Sequence, residues 1–169
     1  YGTTHVGGID DVSAIAFTKK GKLTDPTIVP YKGVGPIKTN LIKGDIDVGV
    51  LNLGEAVTEM EDGTLCVSVV LASNRMEKLS NVPTATELGI PVVLSTVRGF
   101  VTRKGVPADR KKQLEDAMIK AMEHKYFQSF LTDIGLDSTS VVGADEWGKQ
   151  MEVMLAEMTA QLKALGYIN

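Results

Sequence analysis

Apolar and polar positions in the first half of the chain repeat a three-part pattern: a short β-branched or alternating run, a glycine-bearing loop, then apolar residues three and four apart. The first unit reads as a strand over Thr3 to Val6, a turn through Gly7 and Gly8, and a helix carrying Ile9, Val12, Ile15 and Ala16 on one face. Asp10 and Asp11 in its first turn and Lys19 and Lys20 in its last complement the helix dipole, and Gly21 supplies the stop. The second unit has the β-branched run Thr27 to Tyr31, the loop Lys32-Gly33-Val34-Gly35, and a helix opened by Pro36, closed by Gly44 and apolar at Ile37 and Leu41. In the third, Ile46, Val48 and Val50 alternate against Asp47 and Gly49, followed by a loop at Asn52 to Gly54 and a short helix through Val57 to Met60. Three successive strand-loop-helix units predict an α/β fold with a parallel sheet and right-handed crossovers.

Leu65 to Ala72 is almost uninterrupted apolar sequence, as expected of a strand buried on both faces, with Cys66 as a buried, inert thiol. Thr84 and Glu87 form a capping box before a short helix ended by Gly89, and Pro91 to Phe100 reads as an extended crossing. From Val106 onward the pattern is helical. Pro107 and Asp109 start a helix with Leu114, Met118, Ala121 and Met122 inward; Phe127, Phe130, Leu131 and Ile134 continue the period to Gly135. After a strand-like Ser138 to Val142, the positions Trp147, Met151, Met154, Leu155, Met158, Leu162 and Leu165 form a single stripe, read as packing. The change of character divides the chain into 1–96, made of strand-loop-helix units, and 97–169, a crossing followed by helices.

Composition narrows the function. Among 169 residues, 18 Lys and Arg stand against 21 Asp and Glu, a formal net charge of −3, so there is no global positive field to hold nucleic acid or an anionic membrane. No apolar run approaches the length that spans a bilayer. A lone cysteine allows neither an internal disulfide nor a cysteine zinc site. The chain begins at Tyr1 with neither an initiator Met nor an export signal, and we expect it to be part of something longer.

The two histidines restrict acid-base and metal chemistry. His124, in Glu123-His124-Lys125, reads as a solvated residue or a partner of a helix C-terminus. His5, in the first glycine loop, is either a donor to a ligand anion or a spectator. No serine or cysteine acquires a His partner with sequence support, and Asp10-Asp11 and Asp45-Ile46-Asp47 are explained by helix charge and by turn solvation. An enzyme, with His5, Asp10 or Asp11 as acid-base groups, is the least favoured class; no cofactor or metal is implied. Glycine loops that run into helices present unpaired first-turn N–H groups and the positive end of a dipole. Three of them, Thr3 to Gly8, Lys32 to Gly35 and Asn52 to Gly54, belong at the carboxyl edge of one sheet, where α/β ligand sites lie. They predict a small anionic ligand; the alternative is that these glycines only make tight connections.

The order Val29-Pro30-Tyr31-Lys32-Gly33-Val34-Gly35-Pro36, then Ile42-Lys43-Gly44-Asp45-Ile46-Asp47-Val48 and Asn52-Leu53, resembles the substrate-binding proteins of tripartite tricarboxylate transporters, the Bug family. Asn81-Val82-Pro83-Thr84, Glu87-Leu88-Gly89, Gly99-Phe100 and Gly105-Val106-Pro107 continue the likeness collinearly. The resemblance implies a lobe of a periplasmic-binding-protein-like fold of the second class, with a parallel-rich sheet and flanking helices, followed by the C-terminal helices of the other lobe. It implies a non-catalytic periplasmic receptor that hands a small carboxylate to membrane transporter subunits: a di- or tricarboxylate, an acidic amino acid or an aromatic acid. Carried over by position, the ligand-binding residues are Thr3, Thr4, His5, Gly7, Gly8, Gly33, Gly35 and Asn52. Arg98 stands where the family usually has an aromatic residue, and either forks a ligand carboxylate or is a solvated hinge charge. The rival class is the effector domain of a LysR-type transcription regulator, which shares the two-lobed plan. Phe127, Phe130, Trp147 and Met151 are expected to form an exposed apolar face through which this length of chain either self-associates or folds its helices onto the lobe of residues 1–96 in a way the family does not.

Overall fold

Three backbone segments lie side by side in parallel, and the shortest side chains in the chain let a helix settle directly onto them. In the computed structural model, which describes residues 1–168 except the side chain of Leu165, β1 (Gly2–Thr3) pairs with β2 (Val29–Pro30) in the register Gly2↔Val29 and Thr3↔Pro30. On its other side β1 meets residues 48–50 through Gly2 N–H to Val48 O (2.8 Å) and Val50 N–H to Gly2 O (3.1 Å), with a parallel bridge at Gly49. Each segment runs into a helix: α1 (Ile9–Lys20), α2 (Val34–Lys43) and α3 (Leu53–Glu61). The predicted α/β class with parallel crossovers therefore holds, although the regular strands are shorter than the sequence pattern suggested.

Ile37 of α2 is fully buried, and its Cγ2 would stand 3.1 Å from a Cβ at Gly2 and 3.0 Å from one at Gly49. Glycine at those two points thus sets the distance between α2 and the sheet. Lys38 Nζ and Glu59 Oε1, 2.6 Å apart, join α2 to α3. The hydrogen bond and the charge of Lys38 hold the Glu59 carboxyl below its ordinary range. α1 is buried beyond its predicted face: Ser13, Ala14 and Thr18 are covered as well as Val12 and Ala16, because small residues permit close approach on a second side. Ala16, Ala85 and Val92 form a core with Phe17, Val69, Leu71, Ile90 and Leu94 around it.

Several expectations are corrected. Residues 65–69 alternate in burial, so Cys66 is exposed rather than buried, and pairing comes further on: Val70 bridges Thr84, and Leu71 O accepts the Leu94 N–H (2.9 Å). Only the second part of the run is covered on both faces, Val70 being buried while Val69 and Leu71 pack on the core. Thr84 and Glu87 do cap each other, Glu87 N–H donating to Thr84 Oγ1 (3.1 Å) and Thr84 N–H to Glu87 Oε2 (2.8 Å), but the chain there makes a turn and not a helix. Gly21 ends α1 with φ −76°, whereas Gly44 ends α2 in the left-handed region at φ +80°.

Residues 1–96 with 159–169 form one compact unit, and 97–158 another. The second contains α4 (Ala108–Met122), α5 (Lys125–Asp133) and the first part of α6 (Ala144–Leu165). His124 breaks the expected continuous helix: its Nδ1 accepts the Tyr126 N–H (3.4 Å), making it the N-cap of α5 instead of a partner for a C-terminus. Ser138–Ser140 is a single 3-10 turn, not a strand, because Asp137 Oδ1 accepts the Thr139 N–H at 2.8 Å. Leu131 is the buried side chain among the described residues of 97–158. Of the face expected to be exposed, Phe130 and Met151 are exposed and Phe127 and Trp147 half-buried; Met151 and Leu155, which the stripe had placed in packing, are both exposed. Leu165, the last position of that stripe, lies outside the described side chains.

Candidate functional site

The carboxyl ends of the three parallel segments open into the loops before α1, α2 and α3, so the three helix N-termini share one sheet edge. They are not chemically equivalent. At α1, two largely buried carboxylates already occupy the positive end of the dipole. Asp10 Oδ2 accepts the Thr4 hydroxyl (2.6 Å), and Asp11 Oδ2 accepts both the Gly7 N–H and the Tyr167 hydroxyl, each at 2.7 Å. The first loop is thus built by its own acids, a role that dipole complementarity alone had not assigned them. At α3, Glu55 Oε2 takes the backbone N–H of Asn52 (2.8 Å) and its side-chain Nδ2 (3.1 Å). This carboxylate again sits where a ligand anion would be drawn.

α2 differs. It has no acidic residue in its first turn and no side-chain cap. Gly33 precedes it at φ +98° and ψ 176°, a backbone conformation essentially confined to glycine, and Lys32 beside it is exposed. A Cβ at Gly33 or Gly35 would meet nothing within 4 Å, so the backbone there is open to approach. First-turn N–H groups of such a helix are orphan donors with a fractional positive charge. Pro36 stands third in α2, where it has no N–H to offer.

Of the remaining residues singled out from the sequence, Thr3 is fully buried and its Oγ1 has no hydrogen-bond partner. Thr4 is half-buried with its proton committed to Asp10, while His5 is exposed and its carbonyl accepts the Gly8 N–H (3.2 Å). Gly7 is exposed at φ +73° and Gly8 is the half-buried N-cap of α1. Thr3, Thr4, His5, Gly7, Gly8, Gly33, Gly35 and Asn52 all lie in the first unit along this edge, whereas the exposed Arg98 belongs to the second. Among the described residues, no three His, Cys, Asp or Glu come together as a metal site, and no helix is long and apolar enough to cross a membrane. A hollow of 690 Å³ in 97–158 is lined by Ala121, Tyr126, Phe127 and Phe130 among others, beside the start of α5.

A parallel sheet that presents glycine loops and helix N-termini at its carboxyl edge defines an α/β ligand-binding protein. The chain belongs to the tripartite tricarboxylate transporter receptor family, TctC, whose model matches residues 1–165. It is similar to a UPF0065 protein from the TAR-I ttuE-ttuC' intergenic region of Agrobacterium vitis, 29% identical over 73% of this chain and 36% of that protein. Among solved structures, it superimposes on R. palustris Rpa4515 with adipate at TM-score 0.80 and 23% identity, covering 98% of this chain and 55% of that one. The corresponding values for MatC from Rhodopseudomonas palustris with bound malate are TM-score 0.66, 27% identity, 79% and 46%. The chain thus spans about a third of the length of this curated relative and about half of these solved chains.

Proposed function

We propose that this chain is the ligand-holding part of a periplasmic solute receptor that captures a small carboxylate and passes it to the membrane subunits of a tripartite transporter. In this reading residues 1–96 make up one lobe, and 97–169 are the crossing and the C-terminal helices of the other. The observation that carries it is the N-terminus of α2. It is the one helix start of the three at this edge with neither an acidic first turn nor a side-chain cap. The carboxylate docks on the Val34 and Gly35 amides, with Lys32 adding charge and the Thr3 to Gly8 loop and Asn52 completing the walls. Two fold neighbours, one solved with adipate and one with bound malate, support a dicarboxylate as the ligand.

Isothermal titration of the native receptor with adipate, malate and a neutral diamide of matched length tests this. The acids are expected to release heat with a stoichiometry of about one, the diamide none. Absence of binding by every carboxylate tried, or equal binding of the diamide, overturns the proposal.

A further inference from the structure

One bond in the first unit links residues 156 positions apart: the hydroxyl of Tyr167 donates to Asp11 Oδ2 at 2.7 Å. α6 ends at Leu165, and Gly166, at φ +80°, lets the chain turn back. Its N–H donates to Lys163 O (3.0 Å), and that of Tyr167 to Leu162 O (2.9 Å). This closure fixes the backbone of Tyr167, whose ring shares a 290 Å³ hollow with Ile15, Thr18 and Ile28. The oxygen that Tyr167 reaches is the one that accepts the Gly7 N–H. Asp11 is 2% exposed, so both of its donors are bonded to a carboxylate largely removed from water. Charge-assisted hydrogen bonds of this kind are stronger than neutral ones. The bond also raises the Tyr167 hydroxyl above its ordinary pKa, keeping it a donor.

We infer that Tyr167 is a positioning residue for the ligand loop: through Asp11 it holds Gly7 and with it the Thr3 to Gly8 wall of the site. The inference rests on the carboxylate-receptor reading for its consequence in binding, but the hold on Gly7 is measurable without any ligand. Without the phenol, Asp11 keeps a single loop donor and its carboxylate is free to reorient, loosening a turn whose other ties include Gly8 to His5 and Thr4 to Asp10.

The experiment compares native receptor with Tyr167→Phe, with Asp11→Asn, and with Tyr126→Phe as a control at a tyrosine whose side chain is 76% exposed. Amide exchange at Gly7 and Gly8 is read by NMR, and adipate affinity by titration. In Tyr167→Phe, Gly7 exchange is expected to accelerate about tenfold, the size of one hydrogen bond to a charged acceptor. Adipate affinity is expected to fall about three- to tenfold, and the control to change neither. Asp11→Asn, which keeps the shape but weakens the acceptor, should move Gly7 in the same direction. Unchanged Gly7 exchange in Tyr167→Phe overturns the inference whatever Asp11→Asn or the ligand does, and faster exchange with unaltered affinity overturns the role in binding. If native receptor binds no carboxylate, the functional reading fails, and Gly7 exchange still judges the hold.

Discussion

Replacing Gly33 and Gly35 with alanine one at a time separates what the start of α2 needs for folding from what it needs for binding. Gly33 sits at φ +98° and ψ 176°, where a Cβ collides with its own backbone although nothing else lies within 4 Å. Holding a residue in that region costs about 1–3 kcal/mol, so Gly33→Ala is expected to lose about that much stability or to rearrange the loop. Gly35 lies inside α2, has no positive φ, and has open space where its Cβ would stand. Alanine there is expected to gain up to about 1 kcal/mol, because it loses less backbone entropy than glycine on joining a helix. Urea unfolding followed by circular dichroism reads both: the midpoint should fall for Gly33→Ala and rise for Gly35→Ala, with the slope unchanged. Titration with adipate should show weaker binding for both variants, the first because the amides are misdirected, the second because a methyl group occupies the approach. A Gly33→Ala protein with native stability and affinity would falsify the argument, as would Gly35→Ala destabilised to the same degree as Gly33→Ala.

Thr3→Val removes a buried hydroxyl with no partner, so the ligand-free protein should gain about 1 kcal/mol in urea unfolding; a loss would show that the hydroxyl is satisfied in solution. Gly99→Ala places a Cβ against Cζ2 of Trp147, at 2.5 Å from Cη2 and 2.8 Å from Cε2. The rigid ring must move, so stability should drop by about 1–3 kcal/mol with a shifted tryptophan fluorescence; an unchanged spectrum would mean that the ring does not rest on Gly99. The Thr84 N–H first, and the Arg75 hydrogen bond and charge next, hold the Glu87 carboxyl below the ordinary glutamate value. Its stabilisation is therefore complete above that value and lost as pH falls through the lower folded one. Thr84 and Glu87 amide shifts should titrate with a midpoint below that of a glutamate peptide, and a midpoint at or above it would refute the pairing.

The alternation of strand, glycine loop and amphipathic helix was enough to place α1, α2 and α3 and to gather their loops on one edge. Periodicity and turn residues are local signals, and these elements are locally determined. What the pattern could not supply depends on distant partners. Residues 65–72 look like a doubly buried strand until the neighbours are known; over 65–69 only one side is covered and alternate residues, Cys66 among them, turn outward. His124 sits in an apolar helical period that runs past it, yet its ring accepts the Tyr126 N–H and starts a new helix. Asp10 and Asp11 were legible as acids in a first turn, but not as the acceptors that build the loop, because one donor, Tyr167, comes from the far end of the chain. The single cue for Tyr167 was a tyrosine placed directly after a helix-ending glycine.

That long-range pairing bears on how, under the proposed function, a chain of net charge −3 would select an anion. Its overall field opposes the approach of a carboxylate, so attraction has to arise within a few ångströms, where helix ends act. Two of the three helix starts at the edge are neutralised from within, by Asp10 with Asp11 and by Glu55, and those same acids tie down the loops that flank the third. An anion meeting this edge would, on the proposed reading, be repelled at α1 and α3 and accepted at α2, so the internal acids would both shape the walls and steer the ligand. On the proposed reading, specificity comes from where the chain has placed its own carboxylates, and removing one, as in Glu55→Gln, should broaden where an anion settles as well as loosen the loop that holds Asn52.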